Sequence, residues 1–214
     1  MNVRRLDMIS VGLVGVTAAL TAAVYDRLPA RMATHFDLAG NANGWMPRAT
    51  GAWFAPVLAL ALWAFVRFAP RILPRPERKR LGESSAGLVA CMTSTLICAV
   101  QGLVLYVALV PGASLARVIW VVLGSFYVAI GLVLPRIRRN ALMGIRTAWT
   151  LTSDEIWART QRVGGYSMVA GGLVAAALGV LGGVAGGLLA TVALIVSAVV
   201  PAGYSLLLAR REQG

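Results

Sequence analysis

Six stretches of the chain, at residues 8–24, 52–69, 86–110, 116–134, 166–181 and 185–208, are almost wholly apolar, and the polar residues collect between them. A helix needs about 20 apolar residues to cross roughly 30 Å of hydrocarbon. The pattern therefore predicts an all-α, polytopic membrane protein with six transmembrane helices. The fifth run is short for a span and borrows residues 162–165 at its start. The third and fourth are joined by a tight turn at Pro111 and Gly112, and the last two by Gly182 and Gly183. Pro56 is read as lying in the first turn of the second helix, where its missing N–H costs nothing, and Pro201 as kinking the sixth.

The last two runs are rich in glycine, with spacings such as Gly179 to Gly183 and Gly183 to Gly187. No hydrophobic force drives helices together in lipid, so small residues act by permitting close backbone approach, and these two helices are expected to pack on each other. The first run follows a basic head carrying Arg4 and Arg5 and resembles a signal peptide. It is long and lacks an Ala-x-Ala cleavage site, so it is read as a retained span.

Composition agrees with the pattern: 58% of residues are hydrophobic, 13% are charged, and mean hydropathy is +0.76. The net charge of +12 does not mark a nucleic-acid binder, because the basic residues fall in short clusters between apolar runs. Their placement orients the chain. With the N-terminus inside, sixteen of the twenty basic residues lie on the cytoplasmic side, and only Arg27, Arg31, Arg48 and Arg117 lie outside. Both termini are then cytoplasmic, the 25–51 loop is external, and the stretch from Arg67 to Glu83, with prolines 70, 74 and 76, is a solvated cytoplasmic loop. Two regions are expected: residues 1–85, two helices with the external loop, and residues 86–214, four helices with a cytoplasmic segment at 146–162.

Candidate chemistry is sparse. Cys91 and Cys98 lie seven residues apart in one apolar run, about 10 Å along a helix, too far for a disulfide. They read as packing residues. His35 is the only histidine, with Asp37 two residues on and Asp26 upstream. Such a set could orient a base or hold a metal, but a hydrogen bond within a compact loop is the simpler reading. Thr93, Ser94, Thr95 and Gln101 lie inside the third span and are expected to hydrogen-bond between helices. No charged residue lies deep in any run, which argues against a pump built on buried charge. No catalytic residue, metal site or cofactor is assigned.

The longest polar interval of the second half, 143–165, carries helix-start chemistry. Thr152 and Glu155 are spaced as a capping box, with Leu151 and Ile156 as its hydrophobic staple and Asp154 in the first turn. Trp149 and Trp157 suit a headgroup-level belt, so the stretch reads as an interfacial helix steering the fourth span into the fifth. Arg146 is expected to pair with Asp154 or Glu155, and with Thr147 offers what an anionic headgroup or acidic partner wants.

Two motifs carry a resemblance. Gly144-x-Arg146-Thr147-x-Trp149-Thr150-Leu151-x-Ser153-x-x-x-Trp157-x-x-Thr160, followed by Gly164 and Gly165, resembles the signature of the SdpI family of bacterial toxin-immunity membrane proteins. Leu28-Pro29-x-Arg31-x-x-x-His35-Phe36-x-x-x-Gly40-x-x-x-Gly44-Trp45 resembles a small membrane domain of unknown function often fused ahead of it. The chain departs from these patterns at Ala148, where proline is usual, and at Asn43, where an acid is common. The first loosens a turn; the second weakens any metal site in the loop.

The resemblance implies a non-enzymatic protein of the bacterial plasma membrane that gives resistance to a secreted peptide toxin, by binding it outside or sequestering a cytoplasmic transcriptional regulator. It implies ligand or partner contacts at His35, Phe36, Asp37, Gly40 and Trp45 outside, and at Gly144, Arg146, Thr147, Trp149, Thr150, Trp157 and Thr160 inside. The alternatives are a small membrane enzyme or transporter with its site at His35 and Asp37, and a structural subunit of a larger complex.

Overall fold

The computed structural model describes residues 3–72, 83–113, 115–140 and 143–213. The basic and proline-rich segment at 73–82, which the sequence places in a solvated loop, lies outside them. In order come α1 (Val3–Val24), β1 (Arg31–Phe36), β2 (Ala42–Pro47), α2 (Arg48–Phe68), α3 (Glu83–Leu109), α4 (Val118–Val133), the one-turn α5 (Ala148–Thr152), α6 (Asp154–Leu181) and α7 (Gly183–Gln213). Six of the helices are long and apolar enough to cross a membrane. The chain is a multi-pass membrane protein.

The helices form two groups of three. In the first, α3 packs on α1 and α2, with Val14, Ala59 and Cys98 in a common contact, so Cys98 is the packing residue expected. At the end carrying the N-terminus, Asp7 of α1 accepts from Arg67 Nε at 2.9 Å and from Trp63 Nε1 at 3.3 Å on α2. In the second group α6 lies between α4 and α7. Its glycines serve two neighbours at once. Gly171 faces α7, against Ser197, and Gly164 lies under the Ile145 and Leu134 side chains with Pro201 of α7 next to them; Gly165 and Gly172 face α4, where Gly131 and Gly124 meet them backbone to backbone. α6 and α7 do pack on each other as expected, but not through the spacings that suggested it: Gly179 faces Trp120 of α4, Gly183 has nothing within 4 Å, and Gly187 faces the hairpin of β1 and β2; the equally close seam with α4 is a finding of the structure.

The 25–51 stretch, read from the sequence as a loop, is more ordered in the structure. It is an antiparallel hairpin pairing Met32 with Met46, Ala33 with Trp45 and His35 with Gly44, with register irregularities around His35. Met32 is fully buried beside Leu28, Ala52, Val104 and Leu105, which anchors the hairpin on α2 and α3. Its five-residue turn is built by Asp37, whose carboxylate accepts from the Ala39 and Asn41 amides at 2.9 Å each, and by Gly40 at φ +82°.

Pro56 is a second correction. The helix begins at Arg48, not at residue 52, so Pro56 lies in its interior and removes the donor that Ala52 O would have used. Gln101 Nε2 of α3 takes that place, 2.9 Å from Ala52 O, and both residues are buried. The same solution recurs at Pro201, inside α7. Its missing N–H releases Ser197 O, and Ser167 Oγ of α6 donates to that carbonyl at 2.8 Å. In a medium without water each freed carbonyl must find a protein donor, and here each does so from the neighbouring helix.

Candidate functional site

After α4 the chain turns through Leu134–Arg136 and enters a loop that its own side chains hold closed. Asn140 donates to Arg138 O at 2.8 Å and accepts from the Met143 amide at 2.7 Å. Gly144 has φ +99°, and a Cβ there would meet the Trp157 ring and Gln161 Oε1 at 2.9 and 3.0 Å. Only glycine fits such a place. Gln161 then reads the backbone of Ile145 like a paired strand: Oε1 accepts its N–H at 2.9 Å and Nε2 donates to its carbonyl at 3.0 Å.

Two caps follow in succession. Thr147 and Thr150 form a reciprocal capping box on α5, with Thr147 N donating to Thr150 Oγ1 at 2.8 Å. Thr147 Oγ1 also lies 3.0 Å from Ser205 Oγ on α7. Ser153 caps α6 by accepting from the Ile156 amide at 3.2 Å. The capping box is thus at Thr147 and Thr150, not Thr152 and Glu155. Thr152 ends α5, and with Ser153 as the cap, Leu151 and Ile156 are out of register for a staple.

Other expectations for this stretch also change. The helix expected to start at Thr152 is not separate from the fifth span: α6 runs unbroken from Asp154 to Leu181, and only the one-turn α5 precedes it. Trp157 is only 3% exposed, and its indole N–H donates to Ile137 O at 2.8 Å, so it ties the loop to α6 and does not anchor in headgroups. Trp149 packs against Ile156, Leu208 and Ala209. Asp154 pairs with Arg139 at 2.6 Å, and Glu155 with Arg159 at 2.7 Å, one turn along the helix. The two carboxylates expected to meet Arg146 are engaged there instead. Arg146 is exposed. Thr160 is fully buried, and its hydroxyl has no hydrogen-bond partner among the described residues.

At the other end, His35 Nδ1 lies 2.5 Å from Asn43 Oδ1 across the hairpin, while the Asp37 carboxylate is turned into its own loop. The Asn41 backbone N–H above all, then the Asn41 side chain and the Ala39 and Gly40 amides, hold the Asp37 carboxyl below its ordinary value. His35 and Asp37 therefore have separate hydrogen-bond partners. Among the described residues no three His, Cys, Asp or Glu side chains gather to hold a metal. Trp45 is 51% exposed and Phe36 half-buried on this hairpin.

The hairpin tip reaches the second helix group. The Leu38 carbonyl lies against Gly187 of α7, and Gly40 lies against the Ala116 backbone, so that neither glycine has room for a Cβ. Sequence reasoning had no signal for Leu38, Gln161 or Ser205, since each acts through a partner distant in the chain. Gln101, singled out for interhelical bonding, does bond between helices; Thr95 instead bonds back to Cys91 O in its own helix.

Hairpin, six spans and closed loop define a multi-pass helical membrane protein with one structured element at each end. Residues 136–205, which hold the loop, α6 and most of α7, match the SdpI/YfhL protein family. Residues 12–60, which hold the hairpin, match a domain of unknown function, DUF1648. The chain thus carries a stretch similar to the SdpI/YfhL family behind one similar to this domain, at the places where the two motifs lie. Comparison with curated proteins and with solved structures gave no match.

Proposed function

We propose that the chain is a non-enzymatic immunity protein of the bacterial plasma membrane, with both termini cytoplasmic, that meets a secreted peptide toxin at the hairpin and passes its presence to a cytoplasmic regulator at the 146–162 segment. The observation that supports this reading is the position of α7. Gly187 receives the hairpin tip and Ser205 meets the Thr147 cap, eighteen residues or about 27 Å further along one helix. A ligand favouring one seating of the hairpin then biases the loop, to the extent that it binds the two arrangements with different affinity.

The exposed Trp45 and half-buried Phe36 give the hairpin an aromatic face for a peptide, and exposed Arg146 gives the loop a charge for an acidic partner. The engagement of Asp37 in its own turn supports a binding role for the hairpin over general-base chemistry. The test is deletion of the gene followed by exposure to conditioned medium from stationary cultures of the parent strain. Increased killing, reversed by the intact gene, is expected; unchanged survival would overturn the proposal.

A further inference from the structure

Among the described residues, α3 and α4 are the helices that carry the contact between the two groups. It is unlike the seams inside each group. Between α4 and α6, glycines bring backbone onto backbone, and each interhelical hydrogen bond described above lies within one group or the other. Midway along α3 and α4, by contrast, Thr95, Leu96 and Ala99 face Val122, Ser125 and Ala129 across a groove of about 360 Å³. A second, of about 230 Å³, lies among Val89 and Met92 of α3 and Ile130 and Val133 of α4, beside Met143 and Gly144. Each far exceeds the roughly 10–15 Å³ that admits one water, so the side chains do not interdigitate there. Lipid supplies no hydrophobic force between helices, and a gap forfeits the dispersion contacts that would replace it. The middle of this contact and its loop end therefore hold the groups weakly.

The opposite end is held twice. There the 110–117 connection ties α3 to α4 through the chain. The hairpin makes the second tie. Its base is rooted in the first group by Met32, buried against Ala52, Val104 and Leu105. Its tip is seated on the second, where Gly40 meets the Ala116 backbone and the Leu38 carbonyl meets Gly187 of α7. Ala116 belongs to the connection itself, but Gly187 does not. It stands on a different helix from the joint, roughly 8–10 Å to its side at the packing distance of neighbouring helices. A joint alone leaves two bodies free to rock, and a contact off its axis fixes their angle.

We infer that the hairpin is a strap across the two helix groups: with its tip on Ala116 and Gly187 it holds their angle, and lifting the tip lets them rock about the 110–117 connection, opening the α3 and α4 contact at the loop end. The strap needs no toxin to act, and it stands whether or not the protein confers immunity.

The full-length protein, in lipid nanodiscs and in a Cys91→Ala, Cys98→Ala background, carries pairs of spin labels on introduced cysteines whose separations are read by pulsed dipolar electron resonance. Phe65→Cys with Leu132→Cys spans the groups. Met8→Cys with Phe65→Cys reports within the first group and Leu132→Cys with Leu207→Cys within the second, all four positions being exposed. Gly187→Leu adds a side chain where the Leu38 carbonyl lies. Asp37→Ala removes the carboxylate that holds the turn, without adding bulk to the helices. The parent should give one narrow distance across the groups. Rocking by about 12° moves the far end of α4, roughly 24 Å long, by about 5 Å, so each variant should shift or broaden the distance across the groups by about that much. Both distances within the groups should stay as in the parent. An unchanged distance across the groups in either folded variant, or distances within them that change as much, overturns the strap. Asp37→Ala decides alone if Gly187→Leu does not fold.

Discussion

Replacing Gln101 with Leu keeps a side chain of similar bulk but removes the one donor that the Ala52 carbonyl is shown to have across the α2 and α3 contact. Interhelical hydrogen bonds in membranes average about 0.6 kcal/mol because the separated helices also find partners. This one should exceed that average. Pro56 has removed the intrahelical alternative, Ala52 is fully buried, and no water reaches the carbonyl. The cost then approaches that of a buried unsatisfied acceptor, about 1–3 kcal/mol. Pro56→Ala supplies the control, since it restores an N–H one turn beyond Ala52. In that background Gln101→Leu should cost less than about 1 kcal/mol, giving a coupling within the roughly 0.5–3 kcal/mol of residues in one network. Reversible unfolding in mixed detergent and lipid micelles measures all four members of the cycle. Equal cost of Gln101→Leu in both backgrounds would refute the reasoning, because the bond would then have nothing to do with the missing proline donor.

Gly172→Val should destabilise by about 1–3 kcal/mol, since a Cβ there sits 2.5 Å from Gly124 O; Gly102→Ala, with nothing within 4 Å, should be near neutral in the same assay. Trp157→Phe removes the bond to Ile137 O and should cost about 1–3 kcal/mol and speed amide exchange in the 137–146 loop, so unchanged exchange would contradict its tying role. The pH response of the hairpin follows from Asp37. Its folded pKa lies below the ordinary 3.8, so its contribution is fully present above that value and is lost as pH falls through the folded pKa. Hairpin amide protection should therefore be flat from pH 5 to 8 and fall below about pH 4, and Asp37→Asn should abolish that acid step. A loss of protection beginning near pH 6 would point to another group.

The six spans were legible because hydropathy alone carries them, and the Gly182 and Gly183 break, with both residues at positive φ, was legible as a glycine signal. What failed did so for local and non-local reasons. Pro56 was misplaced because α2 starts with Arg48, Ala49 and Thr50, a polar turn that hydropathy assigns to the loop. The cap was misplaced because Thr147, Thr150, Thr152 and Ser153 all carry capping hydroxyls within seven residues, and only the path of the chain chooses among them. Trp157 reads the same from sequence whether it faces headgroups or the Ile137 carbonyl. The hairpin's turn was readable in Asp37 and Gly40, but its short, irregular strands were not. Of the twelve candidate contact residues, Gly144, Thr147, Thr150 and Trp157 hold the loop together, while Arg146 and Trp45 lie at the surface.

The link through α7 is tested by Gly187→Leu, which adds a side chain where the Leu38 carbonyl now lies while leaving every hairpin residue and every loop residue unchanged. The measurement is survival of the deletion strain, complemented with parent or variant at equal membrane levels, in conditioned medium from stationary parent cultures. The account predicts that the parent gene restores survival and Gly187→Leu does not. Full protection by Gly187→Leu would contradict it.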